Sequence, residues 1–91
     1  MVKKKRYFSI DIDAFRNDPV SYIYNNILYT DQLSEDVLRE FHSYFNWVWI
    51  SSTQKLSKEF IVEFYDKIDF EYLMVNDNIS NEIKTFCKMF I

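Results

Sequence analysis

Glycine is absent from all 91 residues, where average usage of about 7% would supply roughly six. Any turn that needs a positive φ must therefore use Asn or Asp, or be avoided. A G-x-S-x-G nucleophile elbow is impossible without glycine, as is a glycine loop around a phosphate. Proline occurs once, at Pro19. Together the two shortages favour helices with short polar connections over a hairpin-rich sheet. Cysteine also occurs once, at Cys87, which excludes an internal disulfide and a multi-cysteine zinc site. The lone histidine, His42, has no second histidine or cysteine pair to help it hold a metal. No run reaches the roughly 18 apolar residues of a spanning helix, and nothing resembles a signal peptide. A soluble, intracellular protein in a reducing compartment is expected.

What is present is apolar and aromatic. Hydrophobic residues make up 48% of the chain, and nine Phe, seven Tyr and two Trp bring the aromatic share to 20%. Each aromatic side chain buries about 150–250 Å², which is enough to build a core in a single domain spanning 1–91. A chain of this length buries roughly 60–65% of its unfolded surface, so disorder is not expected. Charge is unevenly placed. Residues 1–30 carry five bases and three acids, a net +2, while 31–91 carry eleven acids and six bases, a net −5. The acidic part is a poor direct binder of nucleic acid, because phosphate contacts need Lys and Arg.

The organising feature is a repeat of 23 residues. Segments 30–52, 53–75 and 76–91 align without gaps, which places Leu33, Leu56 and Ile79 in one slot and Ser34, Ser57 and Ser80 in the next. Phe41, Phe64 and Cys87 share a third slot, and Phe45, Ile68 and Ile91 a fourth. Fixed self-similarity at this spacing marks a stacked repeat. Each unit reads as two helices. The serines are N-caps, followed by one apolar stripe through Val37/Leu38 or Phe60/Ile61, Phe41 or Phe64, and Phe45 or Ile68. Leu33 and Leu56 precede the caps as hydrophobic staples. Asp36, Glu59 and Glu82 fall in the first turn, where the helix dipole favours an anion. Asn46 and Asp69 cap a second, shorter helix, and polar exits (Ser51 to Gln54, Asn76 to Asn78) lead to the next unit. The third unit has only its first helix. Its apolar Phe86, Met89 and Phe90 either fold back over the core or meet a partner.

The first 29 residues diverge. Met1 to Arg6 is basic. Tyr7 to Asp13 alternates apolar and polar residues, which predicts a short extended strand that lies over the helices or pairs with another chain. Asp13 is positioned to cap a turn through Ala14 and Phe15. Asp18-Pro19 begins a helix reaching about Leu28, with Val20, Ile23, Tyr24, Ile27 and Leu28 on its apolar side. Tyr24 and Ile27 stand one period before Trp47 and Ile50, as in a divergent leading repeat.

Little in the chain carries chemistry. Asp11 and Asp13 form a D-x-D of the kind that holds Mg²⁺ with a phosphate, but a polar strand face followed by a cap accounts for both. His42 shares its slot with Tyr65 and Lys88, a variable position expected to face solvent. Cys87 sits in a phenylalanine slot and reads as a buried, inert thiol. Trp47 reads as inter-repeat packing, and Trp49, off the stripe, as a contact residue for a partner. Nothing here calls for an enzyme or a cofactor.

The units Leu56-Ser57-Lys58-Glu59-Phe60-Ile61 with Phe64, then Ile68-Asp69-Phe70-Glu71-Tyr72-Leu73, resemble a short helical tandem repeat of bacteriophage and large DNA virus proteins. The first unit matches through Asp31-Gln32-Leu33-Ser34 and Trp47-Val48-Trp49-Ile50. The third departs at Lys84. The resemblance implies a viral origin and a repeat fold, and it brings no catalytic residues with it; a location in the host cytoplasm is expected. The expected architecture is all-α, a compact stack of about two and a half helix-pair repeats with a short N-terminal extended segment. The expected function is non-enzymatic binding of a host protein or nucleoprotein complex, as in an anti-CRISPR-like inhibitor of host defence. Its partner surface would use Asp31, Glu35, Glu40, Trp49, Glu59, Glu63, Asp66 and Glu71. The alternatives are a self-assembling scaffold, with a homodimer possible, and a nucleic-acid module using Lys3 to Arg6. No membrane and no small-molecule substrate are expected.

Overall fold

The computed structural model describes residues 10–91, and the chain divides into two compact units, 1–31 and 32–91. Among the described residues the fold is all-α. It comprises seven helices, α1 (Ile12–Asn17), α2 (Pro19–Asn26), α3 (Glu35–Glu40), α4 (Trp47–Thr53), α5 (Lys58–Glu63), α6 (Phe70–Met74) and α7 (Asn81–Cys87), and a closing 3₁₀ turn (Lys88–Phe90).

Helices of five to eight residues are too short to be stable alone, so each depends on its cap and its buried face. The three repeat serines all act as N-caps: Ser34, Ser57 and Ser80 accept at Oγ from the backbone N–H of Val37, Phe60 and Ile83. Asn46 accepts from Val48 and Trp49, and Asp69 accepts from Tyr72. These second-helix caps recur with the same period. Helix ends are handled without glycine. No described residue has a positive φ; Phe41 and Phe64 end α3 and α5 at φ −108° and −113°, and Gln54 leaves α4 in extended conformation. The left-handed C-cap that usually recruits glycine is thus avoided rather than passed to Asn or Asp.

In the 32–91 unit the core follows the repeat slots. Leu33, Leu56 and Ile79 are buried, as are Leu38, Phe60 and Ile61, then Phe41, Phe64 and Cys87, then Phe45 and Ile68. Ile50 and Leu73 are the buried apolar residues of the second helices. α4 packs on α6, and α6 on α7. The register fails once: Ile91, in the slot of Phe45 and Ile68, is 76% exposed. Phe90 takes up part of that role, its ring 5.9 Å from Phe70 and 6.4 Å from Tyr65.

The 1–31 unit departs from the sequence-based expectation. Tyr7 to Ser9 lie outside the described residues. Ile12 to Asn17 form α1, so Ile12 and Asp13 are not in a strand. Two-residue alternation across the seven positions from Tyr7 to Asp13 cannot outweigh an Asx cap, and the cap is Asp11 rather than Asp13: its Oδ1 accepts from the Ala14 N–H at 3.1 Å. Phe15 is fully buried and stacks on Tyr22 at 4.5 Å, while the Tyr22 hydroxyl accepts from the Asp11 N–H. α2 starts at Pro19 after its Asp18 cap and ends at Asn26, two residues short of Leu28. It buries no residue fully. Val20, Tyr24 and Leu28 are 54–88% exposed, so α2 does not reproduce the packing of α4.

A candidate interaction surface on the repeat helices

The outward side of the first helices is built from charged residues that bridge one repeat to the next. Arg39 on α3 donates from Nε to Glu63 Oε1 on α5 at 2.8 Å, and its other nitrogens lie 3.8 Å from Glu35 and 3.4 Å from Asp36. Its guanidinium also sits 5.4 Å above the Phe60 ring. At the next repeat boundary Lys58 on α5, in the slot of Glu35 rather than of Arg39, makes a similar arrangement, with Nζ 2.8 Å from Glu82 Oε1 and 5.5 Å from the Phe86 ring on α7. Both cations are held more firmly protonated than usual, first by their hydrogen bonds to Glu63 and Glu82, and Lys58 holds the Glu82 carboxyl below its ordinary range. Each base thus clasps an acid and an aromatic of the following unit.

The residues expected to form a partner surface are not all on it. Asp31 is buried, and its Oδ2 accepts from the Leu28 N–H at 2.7 Å. Desolvation and that bond commit it to local structure. Glu35 is half-buried and binds the N–H and hydroxyl of Ser57 at 2.6 and 2.9 Å. Trp49 is half-buried with its ring stacked 5.8 Å from Phe45. Glu40, Glu59, Glu63, Asp66 and Glu71 are exposed. Glu59 and Glu63 share an open groove of about 510 Å³ with Lys58, Val62 and Phe86. Glu71 lines a different groove, with Trp47, Val48 and Phe70.

His42 is not solvent-facing. It is half-buried with its ring 5.5 Å from Phe64, its carbonyl accepts from Trp47 Nε1 at 2.9 Å, and its buried Nδ1 has no hydrogen-bond partner among the described residues. Its slot-mates Tyr65 and Lys88 are exposed, and their variability gave no sign of this. Trp47 packs between repeats as its position suggested, 5.2 Å from Phe64 and 6.1 Å from Phe60. Among the described residues no group of three His, Cys, Asp or Glu could hold a metal, and no helix is long and apolar enough to cross a membrane. Asp11 of the D-x-D serves as the α1 cap, its Oδ1 accepting from the Ala14 N–H.

The residues that sequence reasoning missed are polar and central. Ser51, Gln54 and Asn76, which the sequence places in polar exits, are fully buried. Asn76 donates from Nδ2 to the carbonyls of Ser51 and Gln54 at 2.8 and 2.9 Å, and its Oδ1 accepts from the Asn78 N–H. Gln54 Oε1 accepts from the Leu33 N–H, and Ser51 Oγ accepts from the Asp69 N–H. Gln32 donates to the Thr53 carbonyl and accepts from the Lys55 N–H, and Asn78 Nδ2 reaches the same Thr53 carbonyl. These amides satisfy backbone groups that the inter-helix linkers leave without intrahelical partners. Their signal was positional: Gln32 and Asn78 occupy one slot of the repeat. No family model matches the chain, and no curated protein or solved structure is significantly similar to it.

Proposed function

We propose that this chain is a non-enzymatic protein-binding module that uses the acidic side of its first repeat helices to occupy a basic surface on a host protein or nucleoprotein complex. The observation that carries this reading is the fate of the two cations on α3 and α5. Arg39 and Lys58 are both drawn into ion pairs across the repeat boundaries, while Glu59 and Asp66 stay exposed. The field presented by these helices is therefore negative, with Val62 and the Phe86 ring available for apolar contact beside Glu59 and Glu63. Complementary charge of this kind raises on-rate and specificity more than affinity. The virus-like repeat pattern supports the narrower reading, an inhibitor of a host defence factor of the anti-CRISPR kind.

The test is affinity capture from a bacterial host lysate with and without nuclease, compared between the natural chain and Glu59→Lys/Asp66→Lys. A stoichiometric, basic protein partner that survives nuclease and is lost with the charge reversal supports the proposal. Capture that disappears on nuclease treatment, or that ignores the reversal, overturns it.

A further inference from the structure

The two second helices of the 32–91 unit have different surroundings. α4 is sealed by the unit that follows it: fully buried Ser51 accepts at Oγ from the Asp69 N–H, and at its carbonyl from Asn76. One period on, Met74 takes the place of Ser51 and is only half-buried. From the third unit α7 packs on α6, and Phe90 stacks on Phe70. Beside that contact an open groove of about 600 Å³ remains, with Trp47, Val48, Phe70 and Ile91 among its lining residues. Val48, Phe90 and Ile91 are 41%, 40% and 76% exposed. Lys67 and Glu71, both exposed, stand on its rim, beside half-buried Asp69, whose carboxylate is taken up as the α6 cap.

We propose that a second copy of this chain occupies this groove, giving a two-fold dimer in which the apolar lips of the two grooves meet. The rim charge selects this occupant. In an isologous interface every patch meets its own copy, so a rim of one sign would repel itself. A rim carrying both Lys67 and Glu71 is self-complementary, with Lys67 of one copy placed opposite the partner's Glu71. A basic segment would meet Lys67 and an acidic one Glu71, whereas a second copy satisfies both. The apolar content also fits, since apolar side chains fill the centre of interfaces and charges their edge. This surface is distinct from the Glu59/Glu63 groove between α5 and α7.

Sedimentation equilibrium of the full chain from micromolar to millimolar concentration tests the dimer directly. The expected result is a reversible rise in mass towards twice that of the monomer. Ile91→Glu should weaken association by at least about tenfold, as loss of a central apolar contact does, with the circular dichroism unchanged. Lys67→Glu should weaken it too, and Lys67→Glu/Glu71→Lys should restore it. A monomer at the highest concentration overturns the proposal. So does a dimer indifferent to Ile91→Glu and Lys67→Glu, or a double exchange that fails to recover association. Partner capture through Glu59 and Asp66 is read separately and does not decide this outcome.

Discussion

Glu35 completes a helix cap that belongs to the next repeat. Its carboxylate accepts from both the backbone N–H and the hydroxyl of Ser57, at 2.6 and 2.9 Å, while the Ser57 Oγ accepts from the Phe60 N–H. In a capping box the reciprocal acceptor is a Glu or Gln three residues after the cap. Here that position is Phe60, needed in the core, and the acceptor is Glu35, 22 residues before the Ser57 cap. Helix initiation in one unit is thereby tied to folding of the unit before it.

Removing either partner should therefore cost more than an isolated cap. Ser57→Ala loses a cap and is expected to destabilise by about 1–2 kcal/mol. Glu35→Ala, which strips a charged acceptor from a half-buried N–H, should cost about 1–3 kcal/mol. Urea unfolding of both single variants and the double variant should give a coupling energy within about 0.5–3 kcal/mol. Additive effects would mean that the two groups act independently.

The amide seam gives a sharper contrast. Asn76→Ala leaves the carbonyls of Ser51 and Gln54 without their side-chain donor in a fully buried setting, and each such loss costs about 1–3 kcal/mol. A total of about 2–4 kcal/mol is expected, a large part of the stability of a small domain. Asn78→Ala removes one exposed donor to Thr53, which Gln32 also serves, and should cost about 1 kcal/mol or less. Thermal unfolding of the pair checks the order. Equal losses would refute the distinction between buried and rim positions.

Local signals carried through to the fold wherever one residue type can do one job. Ser34, Ser57, Ser80, Asn46 and Asp69 all cap the helices they precede, and the apolar slots from Leu33 to Ile68 are buried. Legibility failed where a residue's role depends on what the neighbouring unit places beside it. Gln54 and Asn76 read as loop residues because polarity alone does not reveal a buried backbone partner. Asp31 and Glu35 read as surface acids for the same reason. The N-terminal alternation misled because period two over a few residues is weak against the capping power of Asp11.

Acid should weaken the α5–α7 clasp in a definite window. Lys58 depresses the Glu82 carboxyl, chiefly through their hydrogen bond, so the pair contributes stability above the unfolded Glu value of about 4.3. That contribution is lost as pH falls through the lower folded value. Glu82→Gln should melt below the natural chain at pH 6 and converge with it near pH 3. The gap should be small, because exposed pairs contribute little, and should narrow further in 1 M salt. A difference that persists unchanged at pH 3 or in high salt would show that Glu82 acts by packing instead.

Cys87 provides a readout of core opening. It is fully buried, free, and in the slot of Phe41 and Phe64, and burial raises its thiol above the ordinary range. Thiolate is the reactive form, so both access and ionisation protect it. A chromogenic disulfide reagent should react with the native chain only through opening, and with the urea-unfolded chain at the rate of a free thiol. Cys87→Ser, which places a hydroxyl in an apolar slot, should destabilise by about 1–3 kcal/mol. The Glu35→Ala and Asn76→Ala variants should speed labelling in proportion to their lost stability if α7 opens with the rest of the 32–91 unit. If labelling keeps the natural rate in both variants, α7 opens on its own and the repeat seams do not extend their cooperativity to the third unit.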